Sequence, residues 1–168
     1  VDGSAADLLR PITDGDLRGW QGLPPDLSLT QLTAAFPRDS DWSGTAQLGR
    51  SHREASYLWV DIPGADGKLR VWFVDERVIM LDRACAGLGV HAHQLVDLLA
   101  ETPAALDTWQ GTLSMSESEL VFPAHGLAAF ISRETDTIWH LALFAPLALE
   151  TYQNDLRISL KRRRFQLD

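Results

Sequence analysis

Leu27-Ser28-Leu29-Thr30-Gln31-Leu32 and, in the second half of the chain, Val90-His91-Ala92-His93-Gln94-Leu95 are the stretches on which the fold turns. In the first, the Ser28 hydroxyl is placed to accept from the backbone N–H of Gln31. The Gln31 side chain is placed to reach back to Ser28, so the stretch predicts a helix start. Leu29, Leu32 and Phe36 then recur on one apolar stripe, and Pro37 ends it. The second stretch follows the same order, with Leu98 and Leu99 standing where Ala35 and Phe36 stand.

Outward from each helix the chain reads as β-structure. Trp42-Ser43-Gly44-Thr45 opens a run in which Trp42, Ala46 and Leu48 share a face. Tyr57-Leu58-Trp59-Val60-Asp61-Ile62 alternates, with Leu58, Val60 and Ile62 on one side and Tyr57, Trp59 and Asp61 on the other. Pro63-Gly64-Ala65-Asp66-Gly67 is turn chemistry, and the runs Leu69 to Val74 and Val78 to Leu81 flank Asp75-Glu76-Arg77. The second half offers Trp109-Gln110-Gly111-Thr112, Leu113 and Met115, and Glu119 to Phe122. After these come the turn Pro123-Ala124-His125-Gly126, Leu127 to Ile131, Arg133 to Asp136 and Thr137 to Phe144.

The expectation is therefore an α+β fold in one domain, 1–168, made of two tandem pseudo-repeats of a helix followed by antiparallel strands. The first repeat spans 28–82 and the second 90–145, forming one sheet layer or two facing sheets with the helices on one face. Residues 1–27 read as an N-terminal arm held by Leu9, Ile12 and Trp20. Residues 147–168 read as a C-terminal helix, with Leu149, Tyr152, Leu156 and Leu160 on one face, or as a strand, ending in a basic tail.

A chain of 168 residues with 45% hydrophobic and 23% charged residues can bury roughly 70% of its unfolded surface. The net charge of −8 argues against a nucleic-acid partner, because phosphate binding needs a basic surface; only Arg157 and Lys161 to Arg164 cluster. Cys85 is the sole cysteine, so no intramolecular disulfide forms, and no stretch approaches the ~18 apolar residues of a membrane span. Together with a start that lacks a signal-peptide pattern, these readings lead us to expect a cytoplasmic protein with no membrane partner. Arginine dominates the cations and Ala, Leu, Asp and Gly abound, which suggests a bacterial source.

Candidate chemistry is thin. His91 and His93 lie two apart at a helix start, where helical geometry would point them away from each other, so no metal is expected. Cys85, in a small-residue connector, reads as an inert buried thiol. Gly87-Leu88-Gly89 lacks a dinucleotide fingerprint, and no nucleophile elbow occurs, so no cofactor is expected. His52, Glu54 and Asp61 in the first half, and His125 and His140 in the second, share no spacing that implies catalysis.

The tryptophans carry the functional reading. Trp59 and Trp72 take the parity opposite to the aliphatic residues of their strands. Tyr57, Trp59 and Trp72 would thus line the sheet face turned away from the helices, either covered by the N-terminal arm or open as a binding surface. A tandem helix-plus-sheet unit resembles inhibitory and small partner-binding proteins of bacteria, in which a concave sheet grips another protein. The resemblance implies a non-enzymatic binding protein of the immunity, inhibitor or chaperone-like kind, with a protein partner favoured over a small molecule. The alternative is sequestration of a small molecule, as in self-resistance, in a closed pocket between sheet and helices.

Overall fold

A computed structural model of the protein describes residues 5–36, 38–62, 67–85, 90–106 and 117–159. Pro37, most of the Pro63–Gly67 turn, Gly87-Leu88-Gly89, Trp109 to Met115, Leu160 and the basic residues Lys161 to Arg164 lie outside them, as does the side chain of Trp42. In chain order the elements are α1 (Ala5–Thr13), α2 (Leu29–Ala35), β1 (Arg38–Leu48), β2 (Arg53–Asp61), β3 (Lys68–Val74) and β4 (Arg77–Ala84). There follow α3 (Ala92–Leu99), β5 (Ala104–Leu106), β6 (Glu117–Phe122), β7 (Leu127–Ser132), β8 (Ile138–Phe144) and a helical turn, α4 (Leu149–Thr151), that runs into a π turn over Tyr152–Leu156.

All eight strands form one antiparallel sheet in the order β1-β2-β3-β4-β8-β7-β6-β5. The fold is thus α+β around a single sheet and not two facing sheets. Hairpins make every pairing except the central one, where β4 meets β8 with Asp82 opposite Ala142.

The helix starts follow from their caps. Gln31 N–H donates to Ser28 Oγ at 3.1 Å and Ser28 N–H to Gln31 Oε1 at 3.0 Å; His91 N–H donates to Gln94 Oε1 at 3.1 Å. Each entry is also tied to a strand turn. Leu29 N–H donates to Glu76 O (2.8 Å) and Val78 N–H to Leu27 O (2.9 Å), while Ala92 N–H donates to Asp136 O (2.9 Å) and Ile138 N–H to Val90 O (3.0 Å). Glu76 and Asp136 both have positive φ, which turns the carbonyl toward the helix. Register shifts interrupt β3–β4 between Trp72 and Phe73 and β7–β8 between Phe130 and Ile131, leaving Ile79 and Trp139 as the extra residues.

The sheet is buried on both sides. Leu32, Phe36, Leu95 and Leu99 of the helices share one cluster with Leu58, Val60, Ile62, Leu69 and Val71, and the N-terminal residues Ile12, Leu17, Trp20 and Leu23 belong to it too. The other cluster contains Trp72, Met80, Phe130 and Phe144 together with Tyr152, Leu156 and Ile158. The N-terminal arm is thus packed into the helix-side cluster, and the C-terminal segment contributes to the opposite one.

The strand beside β6 among the described residues is Ala104-Ala105-Leu106, which has no β-branched or turn residue to signal it; the Trp109–Met115 stretch, read as the opening of a strand, lies outside the described residues. The C-terminal helix is only a short α turn that widens into a π turn, after which Arg157 turns into Glu119.

Gly49 joins this C-terminal segment to the β1–β2 hairpin. Its N–H donates to Arg157 O at 2.9 Å, with Arg50 N–H to Gln153 O and Ser51 N–H to Asn154 O beside it. Gly49 has φ +65°, and a Cβ there would overlap the Asn154 carbonyl. Gly49→Ala is therefore expected to cost about 2 kcal/mol or more. Chemical denaturation should show the loss, and hydrogen exchange should show lost protection at Arg50, Ser51 and Arg157; an unchanged midpoint with full protection would refute the role of this contact.

Candidate functional site

One row of residues crosses the sheet on the side away from α2 and α3. Trp59 pairs with Arg70, Arg70 with Asp82, Asp82 with Ala142, Ala142 with Ala128, and Ala128 with Val121. The half contributed by β2, β3 and β4 is aromatic and charged; the half contributed by β8, β7 and β6 is small, apolar and fully buried. Strand alternation puts Tyr57 and Trp72 on the same face one step along, again as a cross-strand pair.

Asp82 sits at the middle of this row, 1% exposed. Its carboxylate accepts from Arg70 Nε and Nη2 (2.8 Å each) and from Trp72 Nε1 (2.6 Å), and it lies 2.6 Å from His140 Nε2. Burial works against the charged carboxylate, but the hydrogen bond and charge of His140, and then those of Arg70, outweigh it. The Asp82 carboxyl is held down at about 2.

Held by Asp82, the Arg70 guanidinium lies over three rings, at 4.7 Å from the centroid of Trp72, 5.4 Å from Trp59 and 5.8 Å from Tyr57. Tyr57 and Trp72 are 5.1 Å apart and tilted by 55°. Gly44 faces Tyr57 across the β1–β2 pair, and a Cβ there would come within 2.7 Å of the Tyr57 hydroxyl, so the bare backbone leaves room for the ring.

The three residues expected to form a binding face are therefore brought together, but unequally. Tyr57, Trp59 and Arg70 are half-buried. Trp72 is only 3% exposed and spends its indole N–H on Asp82, so it supports the others from below. Arg70, Asp82 and His140 were not singled out from the sequence as members of this site. Arg70 shares the parity that singled out Trp72, and Asp82 is the one carboxylate in the Val78–Leu81 run and its extension, but His140 comes from the other half of the chain.

A second buried polar group lies on the same face. Tyr152 donates its hydroxyl to Glu119 Oε1 and Arg157 Nε donates to Glu119 Oε2 at 2.7 Å. Burial raises the Glu119 carboxyl, with Arg157 and Tyr152 opposing, and burial and then the Glu119 charge push Tyr152 well up.

The remaining histidines are dispersed. His125 Nδ1 lies 2.6 Å from Glu101, which also accepts from Ala124 N–H. The expectation that His91 and His93 point apart is overturned: their rings stack at 5.6 Å, because His91 is the extended N-cap and not yet helical. His93 Nδ1 bonds Asp136 at 2.6 Å. Among the described residues no group of three His, Cys, Asp or Glu side chains is placed to hold a metal ion. His52, Glu54 and Asp61 lie on or beside β2, with Asp61 paired to Lys68 at 3.3 Å. Cys85 is buried, and burial pushes its thiol up to about 12, which keeps it from acting as a thiolate nucleophile.

No helix among the described residues is long and apolar enough to cross a membrane. No family profile matches the chain, and no curated protein does. Among solved structures, the crystal structure of a DUF4309 family protein (YjgB) from Bacillus subtilis subsp. subtilis str. 168 is similar. It has 14% identity and a TM-score of 0.41, over 84% of this chain and 97% of that chain. At that distance the likeness bears on neither the site nor the activity.

A carboxyl held below its ordinary value binds protons more readily in the unfolded chain. The stability Asp82 adds is therefore complete above pH about 4 and is lost as pH falls from 3.8 toward about 2. Unfolding curves across this window should fall more steeply for the wild type than for Asp82→Asn. At pH 7 that variant should itself be about 3 kcal/mol less stable, since Arg70 loses its counter-charge. Superimposable acid profiles would show that Asp82 is not the group responsible.

Proposed function

We propose that this chain is a non-enzymatic binding protein, of the immunity, inhibitor or chaperone-like kind, that offers Tyr57, Trp59 and Arg70 to a protein partner from the sheet face opposite α2 and α3. The observation that carries this reading is the stack of Arg70 over Tyr57, Trp59 and Trp72. Arg, Tyr and Trp are the side chains that dominate binding energies at protein interfaces, and they do so when their geometry is set in advance. Here Asp82 and Trp72 immobilise the guanidinium from beneath, so ordering it on contact costs little. The described arm residues Ile12, Leu17, Trp20 and Leu23 pack in the other cluster, and Tyr57, Trp59 and Arg70 are half-buried. A single buried cysteine and an arginine-rich composition fit a bacterial cytoplasmic setting.

A tandem origin of the two halves supports the same reading. The matched helix-entry bonds, the matched register shifts and the β4–β8 pairing that sets Asp82 against Ala142 fit two copies of one unit related by a two-fold axis through that pair. On that correspondence Arg70 answers to Ala128 and Trp59 to Val121. One copy keeps an apolar row under the C-terminal segment; the other has acquired charge and large rings where no packing need calls for them.

The test is affinity capture from a lysate of the source organism, followed by fluorescence titration of the captured protein. Trp59→Ala and Tyr57→Ala are each expected to weaken binding at least tenfold, and Gly44→Val to do the same by displacing the Tyr57 ring. Leu98→Ala, on the exposed side of α3, should leave affinity unchanged. Equal affinities for the wild type and the Trp59 and Tyr57 variants would overturn the proposal.

A further inference from the structure

We propose, on the footing that Tyr57, Trp59 and Arg70 form the partner face, that the segment they take is neutral, proline-rich and in the polyproline II conformation. The free polar atoms of the face are donors. The Trp59 indole N–H and the Tyr57 hydroxyl bond to no side chain or backbone group among the described residues, and neither is sealed from water. Arg70 commits Nε and Nη2 to Asp82 and keeps Nη1 unbonded.

The carboxylates of the face are already taken. Asp82 Oδ1 accepts from Arg70 Nε and Trp72 Nε1, and Oδ2 accepts from Arg70 Nη2 and lies 2.6 Å from His140 Nε2. Asp61 lies 3.3 Å from Lys68. Donors set among aromatic rings match a chain that presents carbonyl oxygens without N–H groups. Proline is the residue that does so: its nitrogen carries no hydrogen, and a run of prolines forms an extended left-handed helix with no internal hydrogen bonds. Bound on this face, its carbonyls accept from Trp59, Tyr57 and Arg70 while its pyrrolidine rings lie against the aromatic faces. An ordinary extended segment brings an N–H at every residue, and those turned toward the sheet would lose water and find no open acceptor.

The geometry fits the same ligand. Tyr57 and Trp59 are two positions apart on β2, so their side chains rise from one face about 7 Å apart. They flank the Arg70 guanidinium, which is 5.8 Å from the first ring centroid and 5.4 Å from the second. The Tyr57 ring is braced by Trp72 at 5.1 Å, and it has its room because residue 44 is glycine. With these rings held by their neighbours and the polyproline helix ordered before it binds, little freedom is lost on either side. Arg70 lies against Asp82 and Lys68 against Asp61, so these cations already have their carboxylates and the ligand need carry no charge.

Nuclear magnetic resonance of the nitrogen-15-labelled full chain tests the assignment through its indole N–H signals. Capped decaproline should shift the Trp59 signal saturably with a submillimolar Kd, and a capped glycine-serine decapeptide should bind at least about tenfold more weakly. Trp59→Phe, which keeps a ring but removes the N–H, should weaken decaproline about threefold or more. Trp59→Ala should weaken it about tenfold or more, and Leu98→Ala not at all. No saturable shift, equal affinity for the two peptides, or a Trp59→Ala variant that binds decaproline like the wild type would each overturn the proposal. A captured partner that depends on Trp59 while decaproline does not bind would remove the proline-rich ligand and leave the partner face standing. Decaproline bound through Trp59, beside a captured partner indifferent to that residue, would support the ligand and overturn the face as that partner's seat.

Discussion

A buried negative charge at the centre of a sheet is tolerable only when donors surround it, and Asp82 sets that requirement for the whole face. Removing a carboxylate from water costs several kcal/mol, and the return comes from Arg70, Trp72 and His140 converging on two oxygens. Those three groups belong to β3 and β8, on either side of β4. The arrangement therefore exists only when the two meanders are joined in the observed register; a slip of one residue would turn Asp82 to the helix side and leave its donors unmatched. Satisfying one carboxylate thus ties the local geometry of the rings to the global assembly of the sheet.

The same constraint explains why polar and apolar residues divide so unevenly across one face. Where Ala142, Ala128 and Val121 lie, Tyr152, Leu156 and Ile158 complete an apolar cluster, and Glu119 is tied to that segment through Tyr152 and Arg157. Where Trp59, Arg70 and Asp82 lie, the side chains are held by each other; Asp82 is buried, while Trp59 and Arg70 remain partly open to solvent. Rigid, half-exposed aromatic and guanidinium groups add little to stability beyond what a buried leucine would, so their presence directs attention to recognition.

Local chemistry was legible in the sequence and long-range pairing was not. The α2 start could be read because Ser28 and Gln31 answer each other across three residues, and β2 to β4 because alternating Val, Leu, Ile and Trp lie between turn residues. The parity of Tyr57, Trp59 and Trp72 correctly grouped them on one face. β5 escaped because Ala104-Ala105-Leu106 is a strand only through its partner β6. Asp82 and His140 escaped for a related reason: nothing in the residues around either one announces the β4–β8 junction that brings them to 2.6 Å. The pair His91 and His93 failed in the other direction, since helical geometry was assumed one residue before it begins.

The tie between the β1–β2 hairpin and the C-terminal segment has a bearing on how the molecule is made. Ser51 and Asn154 are 103 positions apart, so during synthesis both meanders emerge before the segment that shields Met80, Phe130 and Phe144. For that interval a greasy surface of the nascent chain stands uncovered, and the speed with which its last cover arrives governs the competition between productive closure and self-association.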